Sequence, residues 1–250
     1  MTMTISNIKG MDISSIPPIE LRTQVTYQKE DQPDVVMNQT IYYLPHIRYG
    51  AKKLTKTIKV DGNLDDWDTD WITVDDQYMS RNPFHYKGQD DFSLKFTTAY
   101  DENYFYVAAK LKDDDWYRNK ESAHWTQDVL ILGLDARPLN ISEKNSGYGR
   151  NKEWLSLLLT MNEEGSLYES ADLPEGILHG VRVNGQVATA EMAIPVNYLN
   201  EMQKEAWKNV RIGIGYYDFD DGGEERNDHM WFPAWTTGET IHGSGMIFKK

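Results

Sequence analysis

Along FSLKFTTAY, residues 92–100, Phe92, Leu94, Phe96 and Thr98 share one face of an extended chain, while Ser93, Lys95 and Thr97 share the other. That period of two predicts a strand. YFYVAAKL follows after Asp101, Glu102 and Asn103, residues suited to a turn, so this stretch reads as two successive strands. VLILGL, residues 129–134, is an unbroken apolar run with one glycine and predicts a buried strand. WLSLLLT continues the sheet, and LHGVRV and VATAEMAI are joined through Asn184 and Gly185, the dipeptide of a tight hairpin turn. TIKVDG, VRIGIGYY, WFPAW and GMIF add further strands or strand-like pieces. IELRTQVTYQ and VVMNQTIYYL, rich in β-branched and aromatic residues, predict an N-terminal hairpin or arm. NYLNEMQKEAW, rich in helix formers and placed after Pro195, predicts one short helix.

No β-helix-β rhythm and no G-x-G-x-x-G loop occur, which disfavours a dinucleotide-binding fold. The pattern predicts an all-β protein: a two-sheet antiparallel β-sandwich over residues 57–250, with one short helix. Residues 1–56 form an N-terminal extension, with an irregular leader up to residue 18 and added strands within 19–44. The loop ARPLNISEKNSGYGRNKE has the length of a functional surface or flap.

Composition narrows the partners. The chain has 250 residues, 40% of them hydrophobic and 12% aromatic, enough to build a substantial core. Its formal net charge of -13 opposes attraction to nucleic acid and to anionic membranes, and favours uncharged partners, cations or basic surfaces. With no cysteine there are no disulfides, thiolate metal sites or cysteine nucleophile. No run approaches the roughly 18 apolar residues of a membrane span, and MTMTISNIKG lacks the parts of a secretion signal, so membrane insertion is not expected.

Two acidic stretches are candidate calcium loops, because calcium takes six to eight oxygen ligands from flexible segments. Asp61, Asp65 and Asp66 surround one glycine turn, and YYDFDDGGEERND gathers Asp218, Asp220, Asp221, Glu224 and Glu225. Neither has the EF-hand pattern, and each also reads as a capped turn or a solvated hairpin end. The metal candidates are Asp61 and Asp65 first, then Asp218 and Asp220, holding calcium in a structural role.

Catalysis is a rival class. The six histidines show no zinc spacing, and no G-x-S-x-G elbow is present, so no catalytic residue is assigned. A lyase or hydrolase would have to gather groups such as His124, Asp128, Tyr148, His229 and Asp218 in a cleft. A third class is a structural, protein-binding sandwich that uses its N-terminal strands for edge pairing.

IKVDGNLDDWDTD, AYDENYFYVAAKLKDDD, HWTQDVLILGLDARP and HMWFPAW with HGSGMIF occur in an order that resembles family 9 carbohydrate-binding modules and related DOMON-like sandwiches, from about Thr57 to Lys250. The resemblance implies sugar binding between stacked aromatic rings, structural calcium, and attachment to secreted polysaccharide-degrading enzymes. It therefore implies an extracellular or periplasmic location, an oligo- or polysaccharide ligand, and a larger carbohydrate-active protein as partner. On this chain it puts the clamp at Trp125 and Trp235. Gln127, Asp128 and Arg150 are the expected polar contacts, and Tyr148 and Lys152 share the loop of Arg150. Trp67, Trp116 and Trp207 read as packing residues. Two positions depart from the family pattern: Ile131 stands where a glutamate is usual, and Ser156 lies where an arginine is usual in the next strand.

Overall fold

The computed structural model describes residues 19–28, 33–43, 48–74, 79–81, 86–119, 123–138, 154–162, 165, 167–169, 173–231 and 245–250. The chain divides into two compact units, residues 1–47 and 48–250. In the first, β1 (Ile19–Tyr27) and β2 (Val35–Tyr43) pair antiparallel as a hairpin.

The second unit is a β-sandwich whose strands are β3 (Arg48–Lys53), β4 (Ile72–Val74), β5 (Met79–Arg81), β6 (Phe92–Tyr100), β7 (Tyr104–Asp113), β8 (Val129–Asp135), β9 (Leu155–Thr160), β10 (Leu167–Glu169), β11 (Leu178–Asn184), β12 (Val187–Pro195), β13 (Asn209–Asp220), β14 (Glu225–Trp231) and β15 (Gly245–Lys249). One sheet runs β10-β9-β8-β13, and β13 carries both β14 and β15 on its other edge. The facing sheet runs β6-β7-β12-β11, with β4 on the outer edge of β6. β3 pairs parallel with both β15 and β6 and so joins the two sheets.

Alternation builds the core between them. Phe92, Leu94 and Phe96 of β6 meet Leu130, Leu132 and Leu134 of β8 and Val210, Ile212, Ile214 and Tyr216 of β13 in one buried cluster. Phe92 stacks on Tyr216 at 4.5 Å between ring centres. Thr97, on the other face of β6, is buried as well, because its hydroxyl donates to the Asp70 carbonyl of a covering segment at 2.8 Å. The turn through Asn184 and Gly185 forms as expected, with Gly185 at φ +59°.

Helix α1 spans Val196–Gln203, shorter than the eleven-residue stretch NYLNEMQKEAW. It ends where Lys204 turns left-handed at φ 58°. The chain then folds back so that Trp207 enters the core, its backbone N–H donating to Asn200 Oδ1 at 2.9 Å. The driving force for the turn is burial of that large ring, one of the biggest fully buried side chains.

Candidate functional site

The chain leaves β7 at Asp113 and enters β8 at Val129, and the excursion between them is tied at its base. The backbone N–H of Asp128 donates to the Tyr117 carbonyl at 2.9 Å, and that of Tyr117 donates back to Asp128 Oδ2 at 2.6 Å. Gln127 Nε2 donates to the Asn119 carbonyl at 2.9 Å. At the outer end a single 3-10 turn, His124–Thr126, is held by the Thr126 N–H and hydroxyl, both donating to the Ala123 carbonyl. Trp125 sits on this turn with 47% of its surface exposed. A large ring left half in water on a pinned turn is the kind of face that a sugar's C–H surface can cover.

Gln127 and Asp128 are placed differently from the rim positions expected of them. Gln127 is 3% exposed and Asp128 is fully buried, so both side chains turn inward and hold the loop that carries Trp125. The reason is local: a carboxylate at the strand mouth can accept two backbone N–H groups, and Asp128 also takes that of Phe219 at 2.9 Å. Trp235, Tyr148, Arg150 and Lys152 lie outside the described residues.

The sheet face flanking this loop is apolar. Val129, Ile131, Leu158 and Met230 pack with Trp154 in a cluster separate from the main core, bordered by Tyr217. Ile131 thus fills a second, outer apolar layer, and Ser156 is buried. Polarity returns at the cluster's margin. The Arg226 guanidinium lies 3.6 Å from the centre of the Tyr217 ring, and its Nη2 donates to Asp228 Oδ2 at 2.9 Å. Phe219, beyond Tyr217 on β13, approaches Tyr117 of the Trp125 loop at 6.2 Å.

The two acidic stretches have different fates. Asp61 accepts the Asn63 N–H at 2.9 Å and pairs with Lys59 and Arg182, contacts that hold its carboxyl below the usual range, Lys59 foremost. Asp65 is exposed. The turn is instead organised by Glu191 of β12, which the sequence pattern hides inside VATAEMAI. Its buried carboxylate accepts the N–H groups of Asp61 and Gly62 and the indole N–H of Trp67, at 2.9, 2.6 and 2.7 Å. Gly62 has φ +76°, and a Cβ there would lie 2.6 Å from the Val181 carbonyl carbon, so the turn needs glycine.

Asp218 and Asp220 are inward members of larger groups rather than parts of a solvated hairpin end. Oxygens of Asp113, Asp128 and Asp218 lie within 4.8 Å of one another, as do those of Asp91, Asp114 and Asp220. Burial, more than mutual repulsion, pushes Asp113 and Asp220 up to about 6 and Asp218 to about 8, and Asp128 well above its ordinary value. Tyr216 donates its hydroxyl to Asp113 Oδ2 at 2.9 Å, and Asn227 Nδ2 donates to Asp218 Oδ2 at 3.3 Å. Oxygen-only donors at this density suit a hard divalent cation such as calcium. Asp91, Asp113 and Asp114 escape a loop-centred search because they stand at the ends of two core strands; the register Phe92↔Asp113 brings them together.

A family model described as the carbohydrate family 9 binding domain-like family matches residues 60–244. The chain belongs to this family. Two solved structures of a family 9 carbohydrate-binding module from Caldicellulosiruptor kristjanssonii share its fold. The complex with glucose aligns at TM-score 0.61 and 15% identity, covering 82% of this chain and 95% of that one. The complex with cellotriose aligns at TM-score 0.58 and 16% identity, covering 82% and 94%. No curated protein matches the sequence closely enough to count as a relative. Membership of family 9 thus accounts for the β-sandwich fold.

Proposed function

We propose that this family 9 domain recognises a neutral or basic saccharide without changing it chemically. The observation that carries the reading is Trp125, half exposed on a turn whose base is locked by the reciprocal Tyr117 and Asp128 hydrogen bonds. A rigid ring loses little conformational entropy on contact, so its apolar face contributes to binding with small ordering cost. Trp235 is the proposed second ring of the clamp and Arg150 a polar contact, with Arg226 at the margin of the apolar layer as a further donor. The glucose and cellotriose complexes of the Caldicellulosiruptor modules point to a glucan end as the first ligand class to test. The net charge of -13 argues against a strongly anionic sugar.

Several groups named as catalytic candidates support a binding role over a reacting one: Asp128, Asp218 and His229 are all essentially buried. The proposal includes a structural calcium ion, supported by the carboxylates gathered around Asp218 and Asp220. It also includes work outside the cell beside a larger polysaccharide-active protein.

Calorimetry with cellotriose, glucose and a panel of other neutral oligosaccharides tests the reading. Trp125→Ala should weaken binding by about 1 to 3 kcal/mol while leaving the melting temperature close to wild type, as for an anchor at a small interface. Equal affinities for wild type and variant would remove Trp125 from the site. A large loss of melting temperature would make it a packing residue.

A further inference from the structure

β1 and β2 pair with each other and, among the described residues, with no other strand. Their register sets Thr23 opposite Gln39 at the middle of the ribbon. Two residues out in either direction the pairs are aliphatic, Leu21 with Ile41 and Val25 with Met37. Four residues out, each pair joins a tyrosine to a β-branched residue, Tyr43 with Ile19 and Tyr27 with Val35. Strand alternation gives these five pairs to one side of the ribbon and the four pairs between them to the other. The first side is thus apolar or aromatic except at its centre. The second has both charged residues of the two strands, Glu20 and Arg22, and a cross-strand bond from Gln24 Nε2 to Asn38 Oδ1 at 3.0 Å.

Val25, Tyr27, Val35 and Met37, at one end of the apolar side, are 54 to 60% exposed. A lone two-stranded ribbon is marginal in water, and a continuous apolar side needs a cover. The order of the pairs says what fits. It reads the same from either end, so a second copy turned end for end matches it pair by pair. A hydroxyl and a primary amide each donate and accept, so Thr23 and Gln39 can bond to their own counterparts at a two-fold axis, where a charge would repel its own image. Electrostatics favours the same place. Residues 1–47 have three basic and five acidic residues, a net -2 out of the chain's -13, so copies that meet here bring little of their repulsion together.

We infer that the hairpin is a dimerisation element: the apolar sides of two copies stack face to face, reversed end for end, about a two-fold axis through the Thr23 and Gln39 pair. Each copy then sets Tyr27 on the partner's Ile19 and Tyr43 on the partner's Val35, so that every tyrosine ring meets a β-branched side chain. Val25 lies on the partner's Leu21, and Met37 on the partner's Ile41. A ribbon of nine pairs is about 30 Å long and, with its side chains, on the order of 15 Å wide. Two such faces bury on the order of 1,000 Å², the lower end for a specific interface, which makes the dimer a reversible one. Joining two sandwiches gives one particle two Trp125 sites, and a polysaccharide that repeats its ligand is held by both at once. That consequence rests on the carbohydrate reading; the dimer does not.

Sedimentation equilibrium of the full chain, from about one to several hundred micromolar, should show the mass rising from monomer towards dimer, the range expected of an interface this small. Val25→Lys sets a charge on the apolar side and should hold the chain monomeric throughout. Thr26→Lys, one residue along and on the other side, should dimerise as wild type does. Because the chain has no cysteine, Thr23→Cys gives a single thiol beside the axis, and a short bismaleimide should link two copies through it; Thr26→Cys should not link. On hydroxyethyl cellulose the wild type should bind about tenfold or more tightly than Val25→Lys, while their affinities for cellotriose are equal. A monomer at every concentration overturns the dimer, because the hairpin's cover is then the same chain or a different protein. A dimer that persists in Val25→Lys, or that fails to link at Thr23→Cys, overturns the stacking. Equal affinities of wild type and Val25→Lys for the polymer overturn the two-site consequence. If the dimer binds no saccharide, the carbohydrate reading fails, and the dimer stands on mass and cross-linking.

Discussion

Glu191 shows how one residue can fix a distant turn. Its carboxylate gathers two backbone N–H groups and an indole N–H from residues more than a hundred positions earlier in the chain. Burial, the largest influence, raises its carboxyl above the ordinary glutamate value, while Trp67, Gly62 and Asp61 pull it down by hydrogen bonding. The folded state therefore holds this proton more tightly than the unfolded chain does. Its contribution to stability is complete below the unfolded pKa and declines as pH rises through the folded one. Glu191→Gln cannot titrate, and its amide N–H₂ would face either the Trp67 indole or the backbone donors. It should cost about 1 to 3 kcal/mol, read by denaturant unfolding. The advantage of wild type over the variant should shrink as pH rises just above the usual glutamate range. A pH-independent difference would show that the carboxyl is not perturbed.

At the scale of elements, β8 is buried along its full length because it has a core on each side: Leu130, Leu132 and Leu134 face the main cluster, and Val129 and Ile131 face the outer one. An acid at this position, Ile131→Glu, should therefore destabilise the sandwich by about 3 kcal/mol or more, since the Val129, Trp154, Leu158 and Met230 side chains packed with it offer no cation to pair a buried charge. Thermal melting at neutral pH checks this, and a near-wild-type melt would mean that the outer layer opens to water. The strands were legible in the sequence because their patterns are local: the alternation in β6, the Asn184 and Gly185 turn and the apolar run of β8 all reappear. The helix was legible in place but not in extent, since Trp207 is pulled away by tertiary packing. The acidic groups were legible only in half. Asp218 and Asp220 stand out in a loop-like acidic string, whereas their partners Asp91, Asp113, Asp114 and Asp128 come from the ends of other strands and meet only through register. For Trp125, proximity to a strand mouth was readable; that Gln127 and Asp128 turn inward beside it depends on hydrogen bonds to Asn119, Tyr117 and Phe219 that no short window contains.

On the scale of the molecule, the hairpin of β1 and β2 belongs to its own compact unit, with Val25, Tyr27, Val35 and Met37 about half exposed. A two-stranded hairpin is marginal by itself, and the core of the sandwich starts at Ala51. Removing residues 1–47 should leave the melting temperature of the remaining unit within a few degrees of the whole protein, and a collapse of folding would give the hairpin a part in that core. The sandwich unit is closed in an unusual chain order: its opening strand, β3, lies between β6 and its final strand, β15, pairing Arg48 with Met246 and Ala51 with Lys249. On a ribosome moving N- to C-terminally, β3 emerges nearly two hundred residues before the strand that covers its free edge. At about 5 to 20 residues per second that edge waits on the order of ten to forty seconds. The nascent domain therefore passes through a long interval with an open strand edge, in which a chaperone, or a neighbouring chain on the same messenger, competes for the place that β15 will take.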